Sequence, residues 1–224
     1  MIKKTLIIYV FIAYACVLNA AKEIELKISI RPDMYSLLEA WLKNYAEYKG
    51  ESEQKEYYVT NPNESWDYSA GFKDTLKTMR VRQEKKGDSL CYKYRHLDPT
   101  TKKTTHRDEY ETKIENGEVM LEILKCIGYT EQTIVQKKRT TYMIDNKFEV
   151  VFDDVHSVGK FIEIELKEPI DDVKLGIAQI ENLLQEIGIF EFKQYDRGYI
   201  HMIWNPGYEF GTLRNLKAKQ YYSS

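Results

Sequence analysis

The sequence predicts an α+β domain built mainly from antiparallel strands. Two patterns carry that expectation. Most segments alternate apolar and polar residues with period two, as strands with two unlike faces do. Three others repeat apolar residues at i, i+3, i+4 and i+7, the stripe of an amphipathic helix. Runs of strands with a few interspersed helices, rather than strict strand–helix alternation, are the mark of the α+β class. No Pro/Gly-rich linker divides the chain, so residues 22–205 read as one domain followed by a polar tail, 206–224.

Residues 1–21 read as a leader. Lys3 and Lys4 precede an uncharged apolar run, Leu6 to Leu18, and Asn19, Ala20 and Ala21 follow, the pattern of a secretory signal peptide. The run falls short of the roughly 20 apolar residues of a membrane span, and a retained anchor or a lipid-modified Cys16 are the alternatives. Such a leader implies export to a periplasm or beyond; a misassigned start would leave the protein cytoplasmic. Without it only Cys91 and Cys126 remain, too few for a disulfide scaffold, and both read as small buried hydrophobes.

A strand is expected over Glu23–Arg31, then a helix carrying Met34, Leu37, Leu38, Trp41, Leu42 and Tyr45, with Asp33 as its cap after Pro32. Glu56–Thr60 alternates as a strand, and the Asn-, Ser- and Asp-rich Asn61–Gly71 reads as a long loop. Leu76–Gln83, Ser89–His96 and His106–Ile114 follow as strands. Val119, Ile123, Leu124 and Ile127 mark a second helix that stops at Gly128. Thr133–Ile144, Phe148–Phe152 and Lys160–Lys167 are strands, and Val173, Ile177, Ile180, Leu183, Leu184 and Ile187 mark a third helix between the acidic Asp171–Asp172 and Gly188. Tyr199–Trp204 alternates as a last strand. All three helical stripes are expected to face the core.

The chain has 224 residues, 30% of them charged, and 33 Lys+Arg against 35 Asp+Glu give a net charge of -2. An apolar fraction of 43% is enough for a core, which excludes wholesale disorder. The charge balance removes the basic excess that nucleic-acid binding draws on. How the charges are distributed is more informative. Glu23, Glu25 and Lys27 share one strand face, with Ile24, Leu26 and Ile28 on the other, and Glu163-Ile164-Glu165-Leu166-Lys167 repeats the same pentapeptide. Arg80 and Arg82 share a face, as do Lys93 and Arg95, then Arg107, Glu109 and Glu111, then Lys137 and Arg139. For any one strand the ordinary account is a wet sheet face laced with cross-strand ion pairs. Solvent faces, however, mix Thr, Ser, Gln and Lys, whereas here paired acids and paired bases dominate. If the sheet closes into a barrel, these faces point inward and helices cover part of the apolar outside. Like charges held so close need an ion or a ligand between them. Paired glutamates suit a hard divalent cation, and clustered Arg and Lys suit phosphates. Together they describe a metal–nucleotide or metal–polyphosphate site. No two of His96, His106, His156 and His201 have ligand spacing, and His156, in the Asp153–Gly159 turn, is the one to test.

These motifs resemble the CYTH superfamily, the triphosphate tunnel metalloenzymes. The likeness is carried by Glu23-x-Glu25-x-Lys27, Met79-Arg80-Val81-Arg82, Leu90 to Lys93, Arg107-x-Glu109-x-Glu111, Asp153-x-Val155 and Gly159-x-Phe161-x-Glu163-x-Glu165, in the family's order. Leu121–Lys167 looks most like the class IV adenylyl cyclase branch. Two departures stand out: Tyr57-Tyr58-Val59-Thr60-Asn61-Pro62 has valine where the family often has aspartate, and no His-Phe pair precedes Glu23. The resemblance implies a closed eight-stranded antiparallel barrel with about three flanking helices. It implies that Glu23, Glu25, Glu163 and Glu165 hold Mg²⁺ or Mn²⁺, with Asp153 nearby. Lys27, Arg80, Arg82, Lys93, Lys137 and Arg139 would bind the triphosphate; of these Lys27, Lys137 and Arg139, together with Asp153, would take part in catalysis. Arg107, Glu109 and Glu111 would support them, and Arg95 is added by strand parity alone. The implied activity is conversion of ATP to cyclic AMP and pyrophosphate. The alternatives are hydrolysis of thiamine triphosphate, inorganic tripolyphosphate or a nucleoside triphosphate, and a polyphosphate-binding module without turnover. The implied partner is a small-molecule triphosphate, with no nucleic acid and no membrane beyond the leader; a homodimer is left open.

Overall fold

The computed structural model describes residues 21–64, 66–69 and 71–216. The leader expectation therefore lies outside the described residues except for Ala21, which opens the first strand. The elements run β1 (Ala21–Ser29), α1 (Pro32–Tyr45), β2 (Glu47–Thr60), β3 (Lys77–Glu84), β4 (Asp88–Leu97), β5 (Thr104–Ile114), α2 (Gly117–Cys126), β6 (Thr130–Ile144), β7 (Phe148–Val155), β8 (Gly159–Leu166), α3 (Val173–Ile187), β9 (Glu191–Tyr195), α4 (Tyr199–Trp204) and β10 (Gly211–Asn215). Among the described residues no helix is long and apolar enough to cross a membrane.

Eight strands close a barrel in the order β1-β5-β4-β3-β2-β6-β7-β8, with β8 returning to β1, and β9 and β10 extend the sheet beyond it. β1 is the closing strand. Ala21–Glu23 pair with Arg107–Glu109 of β5, Ile24–Ile28 pair with Ile162–Leu166 of β8, and Lys27–Ser29 pair with β9. Antiparallel partners point their side chains to the same face. The pairings Lys27–Glu163, Glu25–Glu165, Arg139–Asp153, Lys93–Glu109 and Glu56–Arg82 therefore carry the charged faces inward.

The main hydrophobic core consequently lies outside the barrel. Ile24, Leu26 and Ile28 of β1, Val150 and Phe152 of β7, and Ile162, Ile164 and Leu166 of β8 pack under Leu38 and Leu42 of α1 and Ile180, Leu183, Leu184 and Ile187 of α3. α3 lies close on β1: a Cβ on Gly176 would stand 3.0 Å from Ile24 Cδ1. A smaller cluster joins Val59, Val81 and Leu124 beneath α2. A third joins Tyr58, Val135, Val155 and Phe161 to Tyr199 and Ile200 of α4, at one end of the barrel.

The helix boundaries follow local chemistry. The Asp172 carboxylate caps α3 by accepting from the amides of Lys174 (2.9 Å) and Leu175 (3.1 Å), and Gly188 ends it at φ +92°, a conformation that favours glycine. Asn116 caps α2 through the Val119 amide at 3.0 Å. α1 differs from expectation: Pro32 sits in its first turn and Arg31 is the N-cap, while Asp33 lies within the first turn, where its charge meets the helix dipole.

Four further readings are corrected. β2 starts at Glu47, well before Glu56, because its first half is polar on both faces and breaks register near Gly50. Tyr199–Trp204 is a helix; its aromatic and β-branched residues are buried by the barrel end rather than by strand neighbours. β10 occupies part of the segment read as a polar tail, held by antiparallel pairing to β9. The α2 stripe faces the core only at Leu124: Val119, Ile123 and Ile127 are 54%, 49% and 65% exposed, and Cys126 beside them is exposed too. Met120 and Leu121 join Leu124 in the inward contact.

Leu184→Ala should cost about 2–5 kcal/mol in urea unfolding, the range for truncating a buried leucine, whereas Ile123→Ala should change stability by no more than about 0.5 kcal/mol. A comparable loss from Ile123→Ala would contradict the outward orientation of α2.

Candidate functional site

The inward charges are sorted round the barrel. The consecutive strands β7, β8 and β1 supply Glu149, Glu163, Glu165, Glu23 and Glu25. Across the lumen, β4, β3 and β6 supply Lys93, Arg95, Arg80, Arg82, Lys137 and Arg139. β5 lies between the two walls and carries both signs, Arg107 with Glu109 and Glu111. All of these line one cavity, together with Lys27 and Lys167 beside the acidic wall and with Tyr58, Tyr199 and His201.

Unlike charges meet on the inner face, between adjacent strands and between strands one removed. Lys93 Nζ lies 2.7 and 2.8 Å from the two Glu23 oxygens and 3.2 Å from Glu109 Oε1. Arg107 Nη1 donates to Glu25 at 2.6 Å, and Lys27 Nζ is 3.0 Å from Glu163 Oε1. Arg139 holds Asp153 through Nε, at 2.7 Å, and Nη2, which also reaches Glu163. Arg82 and Ser89 both donate to Glu111, at 3.4 and 2.6 Å. The like-signed pairs within each strand are thus compensated by their neighbours, so the cross-strand ion-pair account holds inside the barrel rather than on a solvent face.

Two buried carboxylates organise the basic wall. Glu56 is fully buried and accepts from Arg80 Nη1 and Arg82 Nε, both at 3.1 Å, with Lys137 Nζ at 3.3 Å. Burial alone would raise its pKa, but Arg80, Lys137, Arg82 and Arg139 hold it well below the carboxylate range. Asp153, also fully buried, receives Arg139, Lys137 at 3.5 Å and the Tyr199 hydroxyl at 2.8 Å. Val59, where the family pattern often has aspartate, packs with Val81 and Leu124 under α2, and the buried acid of β2 is Glu56.

The acidic wall is less well compensated. Glu163 is held below its usual range by Lys27 and Arg139 against the effect of burial. Glu25 is raised, chiefly by burial and then by Glu23. Glu165, the cross-strand partner of Glu25, is pushed up to about 7 by burial and Glu23, despite Lys167 at 3.0 Å. Crowded, partly uncompensated carboxylate oxygens are the donor set that a hard divalent cation takes, so Glu23, Glu25 and Glu165 could hold one once Lys93 and Arg107 give up Glu23 and Glu25. Glu163 stands beside them but is engaged by two cations. Cys91 joins Glu109 and Glu111 in a tight group on the β4–β5 wall. Burial pushes its thiol up to about 12, so it is no nucleophile at neutral pH.

At the α4 end, Asp74 binds Arg95 Nη2 through both oxygens, at 2.8 and 2.9 Å, with Arg197 at 3.2 Å and His201 Nε2 at 3.0 Å. Arg95 is therefore paired with Asp74, which it shares with Arg197, and stands directly across from Arg107 of β5. Sequence reasoning missed Glu56, Asp74, Arg197 and Tyr199. Parity with Tyr58 on β2 could have revealed Glu56; the others lie in loops or in the segment misread as a strand. His156 sits in an exposed turn outside the tunnel, while His96 and His106, without ligand spacing in sequence, become cross-strand partners on the outer barrel face.

The comparisons agree with this geometry. A Methanocaldococcus jannaschii protein named "Putative adenylate cyclase MJ0240" is 31% identical over 114 residues, which cover 51% of this chain and 62% of that protein. The chain thus matches less than two thirds of that relative's length. The PH1819 protein of Pyrococcus horikoshii shares the fold at a TM-score of 0.63 and 24% identity, covering 81% of this chain and 97% of that one. A Hippeastrum protein, described as a "putative adenylyl cyclase" that reveals a dominant triphosphatase activity, shares it at a TM-score of 0.57 and 16% identity, covering 81% and 93%. Residues 21–199 match the description "CYTH domain", a span from β1 to the start of α4 that contains every strand of the barrel, and the chain belongs to the CYTH domain family.

Proposed function

We propose that the protein is a metal-dependent enzyme that turns over a triphosphate within the barrel. The observation that carries this is the segregation of the lumen into an acidic wall on β7, β8 and β1 and a basic wall on β4, β3 and β6. A metal–triphosphate complex has the same polarity, cation on one side and phosphate oxygens on the other. Glu23, Glu25 and Glu165, with Glu163 beside them, would hold a divalent ion, which would supply charge stabilisation to a bound triphosphate.

The basic wall binds and orients. Glu56 presets Arg80 and Arg82, and Asp153 presets Arg139, so the phosphates meet donors already in place. Lys93 and Lys27 exchange Glu23 and Glu163 for phosphate oxygens when the substrate enters. Arg107 steadies Glu25, while Glu109 and Glu111 steady Lys93 and Arg82. Lys137 is held between Glu56 and Asp153 and completes the wall.

Two chemistries fit. In cyclisation the ribose 3′-hydroxyl attacks the α-phosphorus of ATP and pyrophosphate leaves. The likeness of Leu121–Lys167 to the class IV cyclases and the name of the archaeal relative favour this reading. In hydrolysis water attacks the terminal phosphorus and phosphate leaves. The lining favours this second reading, because it is mostly charged and its two tyrosines, Tyr58 and Tyr199, are committed to Glu56 and Asp153 rather than free to stack on a base.

Product analysis with Mg²⁺ or Mn²⁺ and ATP, thiamine triphosphate or tripolyphosphate separates these readings: cyclic AMP with pyrophosphate marks the cyclase and inorganic phosphate the hydrolase. The double substitution Glu163→Gln, Glu165→Gln should lower metal-dependent turnover by about 10²–10³-fold, the scale for losing preorganised charge stabilisation, with an unchanged circular dichroism spectrum; full activity would sink the assignment.

Protons should compete with the metal at Glu165, whose folded pKa is raised from 4.5 to about 7. The folded metal-free protein retains this proton over a range where the unfolded chain has released it, so the group's contribution to stability falls as pH rises from 4.5 through about 7. Metal binding runs the other way: Mn²⁺ affinity should rise between about pH 6 and 8, with a flatter and weaker profile for Glu165→Gln. Equal slopes in a Mn²⁺ titration would exclude Glu165 as a ligand.

Glu56→Gln should cost about 3–5 kcal/mol by leaving Arg80, Arg82 and Lys137 without their buried counter-charge. Added tripolyphosphate should raise its melting temperature more than that of the wild type, as read by thermal denaturation.

A further inference from the structure

The outer face of β4 and β5 carries a group of side chains of metal-ligating type, His96, His106 and Asp108. His96 and His106 are direct cross-strand partners, with ring centroids 4.4 Å apart and planes 4° from parallel. Asp108 lies two residues along β5 on the same face, its Oδ2 2.7 Å from His96 Nε2. One ring nitrogen from each histidine and a carboxylate oxygen of Asp108 all lie within 4.8 Å of one another. All three side chains are partly exposed, so an ion can reach them from solvent.

Thr105 orients the second imidazole. Its hydroxyl donates to the His96 carbonyl at 3.3 Å and lies 3.0 Å from His106 Nδ1. With its one proton used on the carbonyl, the hydroxyl accepts from Nδ1–H, and neutral His106 then carries its lone pair on Nε2. A hydrogen bond to the other ring nitrogen is the support that metal-binding histidines usually have. Asp108 engages His96 at Nε2, so an ion entering between them takes the place of the shared proton, which is released to solvent or moves to Nδ1 of the same ring.

The geometry points to a second metal site on the barrel exterior, in which His96, His106 and Asp108 bind a zinc-class transition-metal ion with water completing the shell. Two imidazoles and one carboxylate suit Zn²⁺, Cu²⁺ or Ni²⁺, whereas Mg²⁺ prefers oxygen ligands alone. Small turns of the exposed rings bring the donors to the roughly 2.0–2.1 Å zinc–nitrogen separation. The ion would clip β4 to β5 where their register shifts between His96 and Leu97, on the strands that carry Lys93 and Arg107 inside. Binding to the folded form alone would stabilise that hairpin by mass action. Glu109 and Glu111 of β5 line the opposite face, toward the tunnel.

The test is a ZnCl₂ titration of the untagged full-length protein by calorimetry in saturating Mg²⁺, which occupies oxygen-ligand sites. One zinc equivalent should persist, and it should persist in the Glu163→Gln, Glu165→Gln protein as well. His96→Ala and His106→Ala should each weaken it by about tenfold or more, as Asp108→Asn should to a smaller degree. Zinc that Mg²⁺ displaces, or that survives both histidine substitutions, would overturn the proposal. If the variants fail to fold, side-chain NMR of the wild type decides: Zn²⁺ should shift the imidazole signals of His96 and His106 while that of His201 stays in place, and unmoved His96 and His106 signals would reject the site.

Discussion

The pairing of β1 with β8 is the constraint on which the rest of the structure depends. Its register sets Glu25 against Glu165 and Lys27 against Glu163, and it closes the sheet. A slip of one residue would turn Ile24, Leu26 and Ile28 into the lumen and put the charges against α1 and α3. That penalty falls on both faces at once, so the register is strongly specified. The identical Glu-Ile-Glu-Leu-Lys segments at residues 23 and 163 are two strands meeting the same demand: apolar side chains toward the helices, charges toward the tunnel.

A barrel turned inside out in this way cannot draw its stability from the lumen. Buried ion pairs recover their desolvation cost only with good geometry and further hydrogen bonds, and they seldom add net stability. The favourable term comes from the apolar layer outside the barrel, where side chains of β1, β7 and β8 are covered by α1 and α3. The lumen contributes preorganisation. Glu56 and Asp153 hold cations in fixed positions, while Glu25 and Glu165 stay crowded. In the proposed function a cation entering the acidic wall and phosphates entering the basic wall would relieve repulsion on both.

One end of the barrel is closed by a helix and a buried charged group. α4 and the Asp74–Arg95–Arg197–His201 group cover it with buried contacts. Lys73 stacks near the same end, 3.9 Å from the ring centre of Trp66 and 4.6 Å from that of Trp204, and so ties the loop before β3 to α4. Trp66, Lys73, Asp74 and Arg197 come from irregular parts of the chain, where neither period two nor period 3.6 operates, so the joint role of the group was not legible from sequence.

By itself the sequence determined strand parity, helix periodicity and the ordered charged motifs, because each is a local property of spacing. These were enough to read the α+β class, a charged inner face, and the side chains Glu23, Glu25, Lys27, Arg80, Arg82, Lys93, Lys137, Arg139, Glu163 and Glu165 that the cavity brings together. Only the tertiary structure decided which charges oppose which. It separated the acidic from the basic wall, installed Glu56 as the buried counter-ion, turned Tyr199–Trp204 into a helix at the barrel end, left Val119 and Ile123 in solvent, and placed His96 against His106. The reason is that parity says which face a side chain occupies, whereas its partners are set by strand order and register. Those follow from closing the whole sheet and from covering its outside with helices that are distant in sequence.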